Sequence, residues 1–261
     1  MHAIAREFNL PETAFVMRPS DPANHVRLRI FTVAEELPFA GHPTIGAAVF
    51  LSYFGTPLLP RKLRIEEIAG VIHCDVSGAS ADAGWAEISI PRLPQKISKA
   101  ASVDKIADAL GIEPQAIGFS SLQPECWSAG IPFTFVPLGQ RQSLARCQVN
   151  LGCWDAAFSH AGSKGAFVFC PLGEQRFASR MFAPRLGIPE DPATGSAVAA
   201  FAGMLADAGL PAGPQEFVVE QGVEMGRPSE IGLSIVSHQG HFRKVFVSGH
   251  AILVSQGSIN T

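Results

Sequence analysis

Apolar and polar positions alternate along much of the chain with the two-residue period of a strand. In residues 26–33, Val26, Leu28 and Ile30 share one face while Arg27 and Arg29 take the other. Residues 85–90 place Trp85, Ile88 and Ile90 in a looser version of the same pattern, and further strands are predicted at 14–17, 63–68, 71–76, 133–137, 166–170, 217–220, 233–236, 242–247 and 251–254. Two segments break the pattern. Residues 37–60 contain no Asp, Glu, Lys or Arg, but Pro38, Pro43, Pro57 and Pro60 confine any helix there to 44–54. That is about half of what a bilayer span requires, so the segment predicts a short helix apolar on every side, placed in a core. Residues 196–205 predict a second helix of the same kind. An amphipathic helix is predicted over 102–110, with Val103, Ile106, Ala107 and Leu110 on one face and Gly111 as its stop.

The two apolar helices begin alike. His42-Pro43-Thr44-Ile45-Gly46-Ala47-Ala48-Val49 laid over Asp191-Pro192-Ala193-Thr194-Gly195-Ser196-Ala197-Val198 matches proline, glycine, alanine and valine at a separation of 149 positions. Helix-start chemistry alone can produce such a match, but the spacing is that of two similarly built domains in succession. With strands far outnumbering helices, the fold class read from the chain is α+β: two pseudo-repeated domains, each an antiparallel strand barrel around a central apolar helix. The boundaries are 1–110 and 111–261, with the C-terminal strand free to return to the first domain. Pro91, Pro94 and the small polar run 98–102 mark the approach to the junction.

Composition excludes several classes. Of the 261 residues, 47% are apolar and 16% charged, which excludes intrinsic disorder, and the balance of 20 basic against 23 acidic side chains has no basic stripe to neutralise a phosphate backbone. Nucleic acid and membrane are therefore not expected as partners. The five cysteines, Cys74, Cys126, Cys147, Cys153 and Cys170, form no metal or disulfide spacing. Together with Arg6 and Glu7 where a signal peptide would be apolar, they point to a reducing cytoplasm. No glycine-rich nucleotide loop stands at a strand-to-helix junction, so no nucleotide cofactor is expected.

Candidate chemistry lies where the apolar helices begin, since free backbone N–H groups and the helix dipole favour negative charge there. His42 and Asp191 occupy the two starts, with Ser196 five residues beyond Asp191. A packing histidine and a serine bonded back to its own helix are the alternative readings of His42 and Ser196, and N-capping explains an aspartate such as Asp191 more often than catalysis does.

The chain resembles the PhzF-like family of phenazine-biosynthesis isomerases, which shares its fold with diaminopimelate epimerase. The resemblance is carried by Asn9-Leu10-Pro11-Glu12-Thr13-Ala14-Phe15-Val16, Glu36-Leu37-Pro38-Phe39-Ala40-Gly41-His42-Pro43-Thr44, Arg180-Met181-Phe182-Ala183-Pro184, Glu190-Asp191-Pro192-Ala193-Thr194-Gly195-Ser196-Ala197 and Gln221-Gly222-Val223-Glu224-Met225-Gly226-Arg227-Pro228-Ser229. It implies a homodimer with its active site between two domains, no cofactor and no metal. Glu12, His42 and Asp191 match the family's catalytic residues, and Gly41, Gly195 and Ser196 match substrate-contacting positions. By pattern alone Glu12 is an exposed loop carboxylate. In the implied mechanism Glu12, buried by domain closure, moves a proton on a small anionic metabolite. The helix dipole keeps Asp191 ionised and discourages charge on His42. An epimerase or racemase, or a non-catalytic binding protein, are the alternatives. A two-thiol racemase is disfavoured because no cysteine lies at either helix start. Relatives are expected to begin with about thirty further residues, whose strands would cover an edge of the first barrel and part of its helix.

Overall fold

The computed structural model describes residues 1–55, 57–78, 83–209, 213–238 and 241–259. The first half contains α1 (His2–Phe8), β1 (Thr13–Met17), β2 (Val26–Phe31), β3 (Glu36–Leu37), α2 (Gly41–Tyr53), β4 (Lys62–Glu67), β5 (Gly70–Ser77) and β6 (Ala83–Ser89). Next come β7 (Gln95–Lys99), α3 (Val103–Leu110), β8 (Glu125–Ser128), β9 (Pro132–Pro137), α4 (Arg141–Arg146) and α5 (Leu151–Phe158). The chain continues through β10 (Ala166–Gly173), β11 (Arg176–Ala183), β12 (Ile188–Asp191), α6 (Gly195–Asp207), β13 (Gly213–Gln221), β14 (Ser229–His238) and β15 (His241–Ile252). The strands expected at 242–247 and 251–254 are one strand, β15.

All strands belong to one sheet in the order β1-β2-β4-β5-β6-β15-β14-β13-β11-β10-β9-β8-β7, with β3 paired to β2 and β12 to β11. The internal repeat is visible in this order, which reads alike outward from the β6–β15 junction. In the first half β2 is followed by the short returning strand β3, then α2, then β4 parallel to β2. The second half repeats this with β11, β12, α6 and β13. Those parallel pairs, and β9 with β10, depart from the all-antiparallel barrels expected. The cause is topological: a helix connecting two neighbouring strands of one sheet returns the chain in the same direction.

The antiparallel β6–β15 pair, from Ser89 opposite Phe246 to Ala83 opposite Ile252, joins the halves. β7 pairs with β8, and α3 buries Ile106, Ala107 and Leu110 in a cluster with Trp154 and Phe158 of α5. In its pairing, therefore, the sheet passes from one half to the other at residues 90–94, ahead of position 110, because the apolar face of α3 is satisfied by second-half partners.

The all-apolar run in β10 has a simple explanation: both of its faces are covered. Phe167 and Phe169 point towards α6, while Val168 and Cys170 join the α3–α5 cluster on the other side. Phe201 of α6 is surrounded by Phe135, Phe167, Phe169 and Phe177, with ring centroids 6.0, 5.8, 4.6 and 5.1 Å away. Every residue of α6 from Gly195 to Leu205 is buried. By contrast α2 buries Thr44, Ile45, Ala48, Val49, Leu51 and Ser52 but leaves Phe50 37% exposed, so it is not the fully enclosed helix its sequence predicts. Among the described residues the sheet ends at β1 beside it. No described helix is long and apolar enough to cross a membrane.

Truncating Phe201 to alanine removes the ring around which the second half is packed. The expected loss is about 3–5 kcal/mol, read as a lower urea midpoint at unchanged m-value.

Candidate active site

The two apolar helices begin against each other. Gly41 and Gly195 are their first residues, and a Cβ added to Gly41 would stand 2.7 Å from the Gly195 Cα, while one on Gly195 would stand 3.0 Å from the Gly41 Cα. Real Cβ atoms essentially never approach backbone as closely as 2.7 Å, so the contact requires glycine at 41, while a Cβ at 195 would be tight enough to push the backbone back by a few tenths of an ångström. It also corrects the repeat register. The equivalent positions are 41 and 195, a separation of 154 rather than 149, which makes His42 the counterpart of Ser196 and leaves Asp191 outside the helix. Pro43 occupies the third helical position, where a missing N–H costs nothing, whereas Pro192 precedes α6.

Asp191 is accordingly not the N-cap of α6. That position is Thr194, and Asp191 is the last residue of β12, paired with Met181 of β11. Glu12, immediately before β1, is not the exposed loop carboxylate its pattern suggests, since its side chain is only 8% exposed. One donor atom from each of Glu12, His42 and Asp191 falls in a group whose members lie within 4.8 Å of one another. Asp191 and Ser196 are buried, and the His42 side chain is 39% exposed.

His42 Nδ1 lies 2.7 Å from the Ala193 carbonyl oxygen, which can only accept, so Nδ1 carries a proton. Nε2 then faces Glu12 Oε2 at 3.2 Å, within ion-pair reach though off the hydrogen-bond axis. Two acceptors in that position would repel, and a second proton on the ring resolves the conflict. Burial lowers the His42 pKa, but Glu12, Asp191 and the Ala193 carbonyl outweigh it and raise the value to about 9. Burial raises the Asp191 pKa, opposed by the positive charge of His42 and the hydroxyl of Thr194, while Glu12 raises it further. The His42 shift reverses the expectation from helix dipoles, because two carboxylates beside it exceed a dipole, and Asp191 lacks the downward shift of a helix start because it is not at one. Glu12 Oε2 and Asp191 Oδ1 are buried without hydrogen-bond partners.

One histidine and two carboxylates could also hold a divalent cation. His42 would first have to lose the proton that Glu12 and Asp191 stabilise. The cysteines offer no alternative base. None lies at the start of α2 or α6, and burial raises the Cys147 thiol to about 12.

Sequence reasoning assigned no role to Thr194 or Gln221. Thr194 Oγ1 donates to Asp191 Oδ2 at 2.5 Å, and the buried Gln221 donates to the Asp191 carbonyl at 2.7 Å and to Thr194 Oγ1 at 2.9 Å. Both residues fall within motifs that carry the resemblance, but nothing in their type or spacing distinguishes a structural polar residue from a site residue.

A sheet of this order wound around two opposed helices is a fold shared with PhzF-family proteins and with an epimerase. The chain belongs to the phenazine biosynthesis-like protein family, whose model matches residues 1–257. It is 38% identical to an uncharacterized isomerase of Mesorhizobium japonicum, over 99% of this chain and 88% of the relative. It is also 32% identical to the trans-2,3-dihydro-3-hydroxyanthranilate isomerase of Pseudomonas chlororaphis, over 99% and 87%. Among solved structures, a Bacillus anthracis phenazine biosynthesis protein of the PhzF family superposes with TM-score 0.83 at 22% identity, covering 97% of this chain and 86% of that one. A hydroxyproline epimerase of Agrobacterium vitis shares the fold at TM-score 0.57 and 11% identity, covering 93% and 72%. The protein is an enzyme of the isomerase class.

The His42 shift makes stability pH-dependent. A folded-state pKa near 9 against an unfolded value of about 6.5 gives a contribution that is complete below 6.5 and lost as pH rises through 9. Glu67, which burial raises to about 8, adds a loss of the same sign, beginning near 4.5 and complete past pH 8. Urea unfolding from pH 5 to 10 should therefore show stability of the native protein falling up to about pH 9 and levelling beyond it. In His42→Gln the fall should flatten above pH 8.

Proposed function

We propose that the protein is a cofactor-independent isomerase that moves a proton on a small carboxylate-bearing metabolite, with Glu12 as general acid and base. The convergence of Glu12, His42 and Asp191 within 4.8 Å carries this reading. Glu12 is buried with its Oε2 ion-paired to His42 at 3.2 Å, and its carboxylate can take a proton from an activated carbon once a substrate oxygen takes over the His42 Nε2–H. The same carboxyl then returns that proton to another atom on the same face of the substrate. His42, held by Ala193, presents a charged N–H edge that can donate to a substrate oxygen as negative charge develops. Asp191 Oδ1 can accept from a substrate amine or hydroxyl. The opposed starts of α2 and α6, lined by Gly41, Gly195 and Ser196, supply backbone N–H groups suited to the carboxylate.

An epimerase using two bases is less consistent with the geometry. Acid and base would have to straddle one carbon at about 3 Å on each side, or about 6 Å apart, whereas the donor atoms here lie within 4.8 Å. A single carboxylate serving one face fits better.

The test is proton NMR in deuterated buffer with trans-2,3-dihydro-3-hydroxyanthranilate and a panel of small amino- and hydroxy-carboxylic acids. Native protein is expected to exchange a carbon-bound hydrogen or shift a double bond in at least one of them, unaffected by a chelator. Glu12→Gln should slow this by about 10²–10⁴-fold. Native rates in Glu12→Gln would refute the assignment, and loss of activity on chelation would favour the metal reading.

A further inference from the structure

Asp191 needs more support than its strand supplies. β12 has four residues, pairs only with β11 among the described strands, and its register shifts between Met181 and Ala183. The remaining support comes from the last residue of β13. The Gln221 side chain is fully buried, and its amide makes three hydrogen bonds to the segment that carries Asp191: Nε2 donates to the Asp191 carbonyl and to Thr194 Oγ1, while Oε1 accepts from the Thr194 N–H at 3.3 Å. The amide has one permitted orientation, because the Asp191 carbonyl can only accept.

This orientation determines the direction of the next bond. With Gln221 donating to it, the Thr194 hydroxyl has its own proton free for Asp191 Oδ2. Oδ2 is then committed as an acceptor, and Oδ1, buried and without a hydrogen-bond partner, is the oxygen left to accept in the site. We propose that Gln221 is a positioning residue that acts through Thr194 to fix which oxygen of Asp191 works in the site. The proposal rests on the isomerase reading for its catalytic meaning, but not for its geometry.

The repeat supports it independently. At the 154-residue separation that relates Gly41 to Gly195, the counterpart of Gln221 is Glu67, the last residue of β4. Glu67 is buried too, and its Oε1 lies 2.6 Å from Thr44 Oγ1 in the first turn of α2. Thr44 Oγ1 also lies 2.7 Å from the Ala40 carbonyl. One hydroxyl proton cannot serve both acceptors, so Glu67 carries the second. Each half thus ends the same strand with a buried hydrogen-bonding side chain that fastens the start of its helix, but only Gln221 reaches a residue of the site.

The titratable groups acting on Asp191 are His42 from α2 and Glu12 from the segment before β1. His42 therefore reports on Asp191 without any substrate. In Thr194→Val, Asp191 loses the donor that favours its ionised form, and the His42 ring followed by NMR should titrate lower than in the native protein, by roughly one unit. In Gln221→Leu, the freed Asp191 carbonyl competes for the Thr194 proton, so the shift should have the same sign. Thr194→Ser keeps the hydroxyl and should restore the native midpoint. The pH profile of turnover should move with the NMR midpoint, with kcat falling more than KM rises. Native His42 titration in both Thr194→Val and Gln221→Leu, or an equal shift in Thr194→Ser, would overturn the proposal whatever the activity. A shift in His42 with no reaction on any substrate would support the positioning role and count against the isomerase assignment alone.

Discussion

The structure depends on a contact between two residues without side chains. Gly41 and Gly195 open the two apolar helices, and backbone meets backbone so closely that a Cβ at 41 is excluded and one at 195 is crowded. Because the helices start at this contact, their free N–H groups and first side chains face a shared space, and His42 is brought against Ala193 from the other half of the sheet. A methyl group on Gly41 would force the starts apart and draw His42 away from Ala193.

The fold around that contact is duplicated, but the chemistry is not. Strand, short returning strand, helix and parallel strand occur in the same order in both halves, and the antiparallel β6–β15 pair joins the copies. At equivalent positions, however, the first half has His42 and the second Ser196, while Asp191 corresponds to Leu37. A symmetric frame holding asymmetric residues suits a reaction in which one carboxylate acts on one face. The two-thiol arrangement of a symmetric racemase is absent, and the buried thiols are pushed away from the thiolate form.

Much of this was legible in the chain. The strands β1, β2, β4–β6, β9, β10 and β13–β15, the apolar helices and their likeness show through periodicity, because alternation and helical stripes are local properties, whereas β3, β7, β8, β11 and β12 do not stand out in the sequence. The repeat as it shows in the sequence is five positions out of register. A proline shared by both helix starts drew the match to Pro43 and Pro192, and only the packed structure shows glycine meeting glycine. Glu12 was found by resemblance alone, since nothing local distinguishes a buried loop carboxylate from a solvated one. The charge on His42 was read with the wrong sign because the dipole is a property of one helix, whereas Glu12 and Asp191 reach His42 from distant parts of the chain. Thr194 and Gln221 were invisible as site residues for the same reason: their roles exist only in the hydrogen bonds that connect β13 to β12.

The central claim is that Glu12, His42 and Asp191 form one proton-sharing cluster in which His42 is an imidazolium held between the Ala193 carbonyl and the Glu12 carboxylate. Neutron diffraction from crystals of the deuterium-exchanged protein at neutral pH would test it most directly. The account predicts deuterons on both Nδ1 and Nε2 of His42, with Asp191 Oδ2 accepting from Thr194. A ring carrying a deuteron on Nδ1 alone, with Glu12 turned away from Nε2, would contradict it.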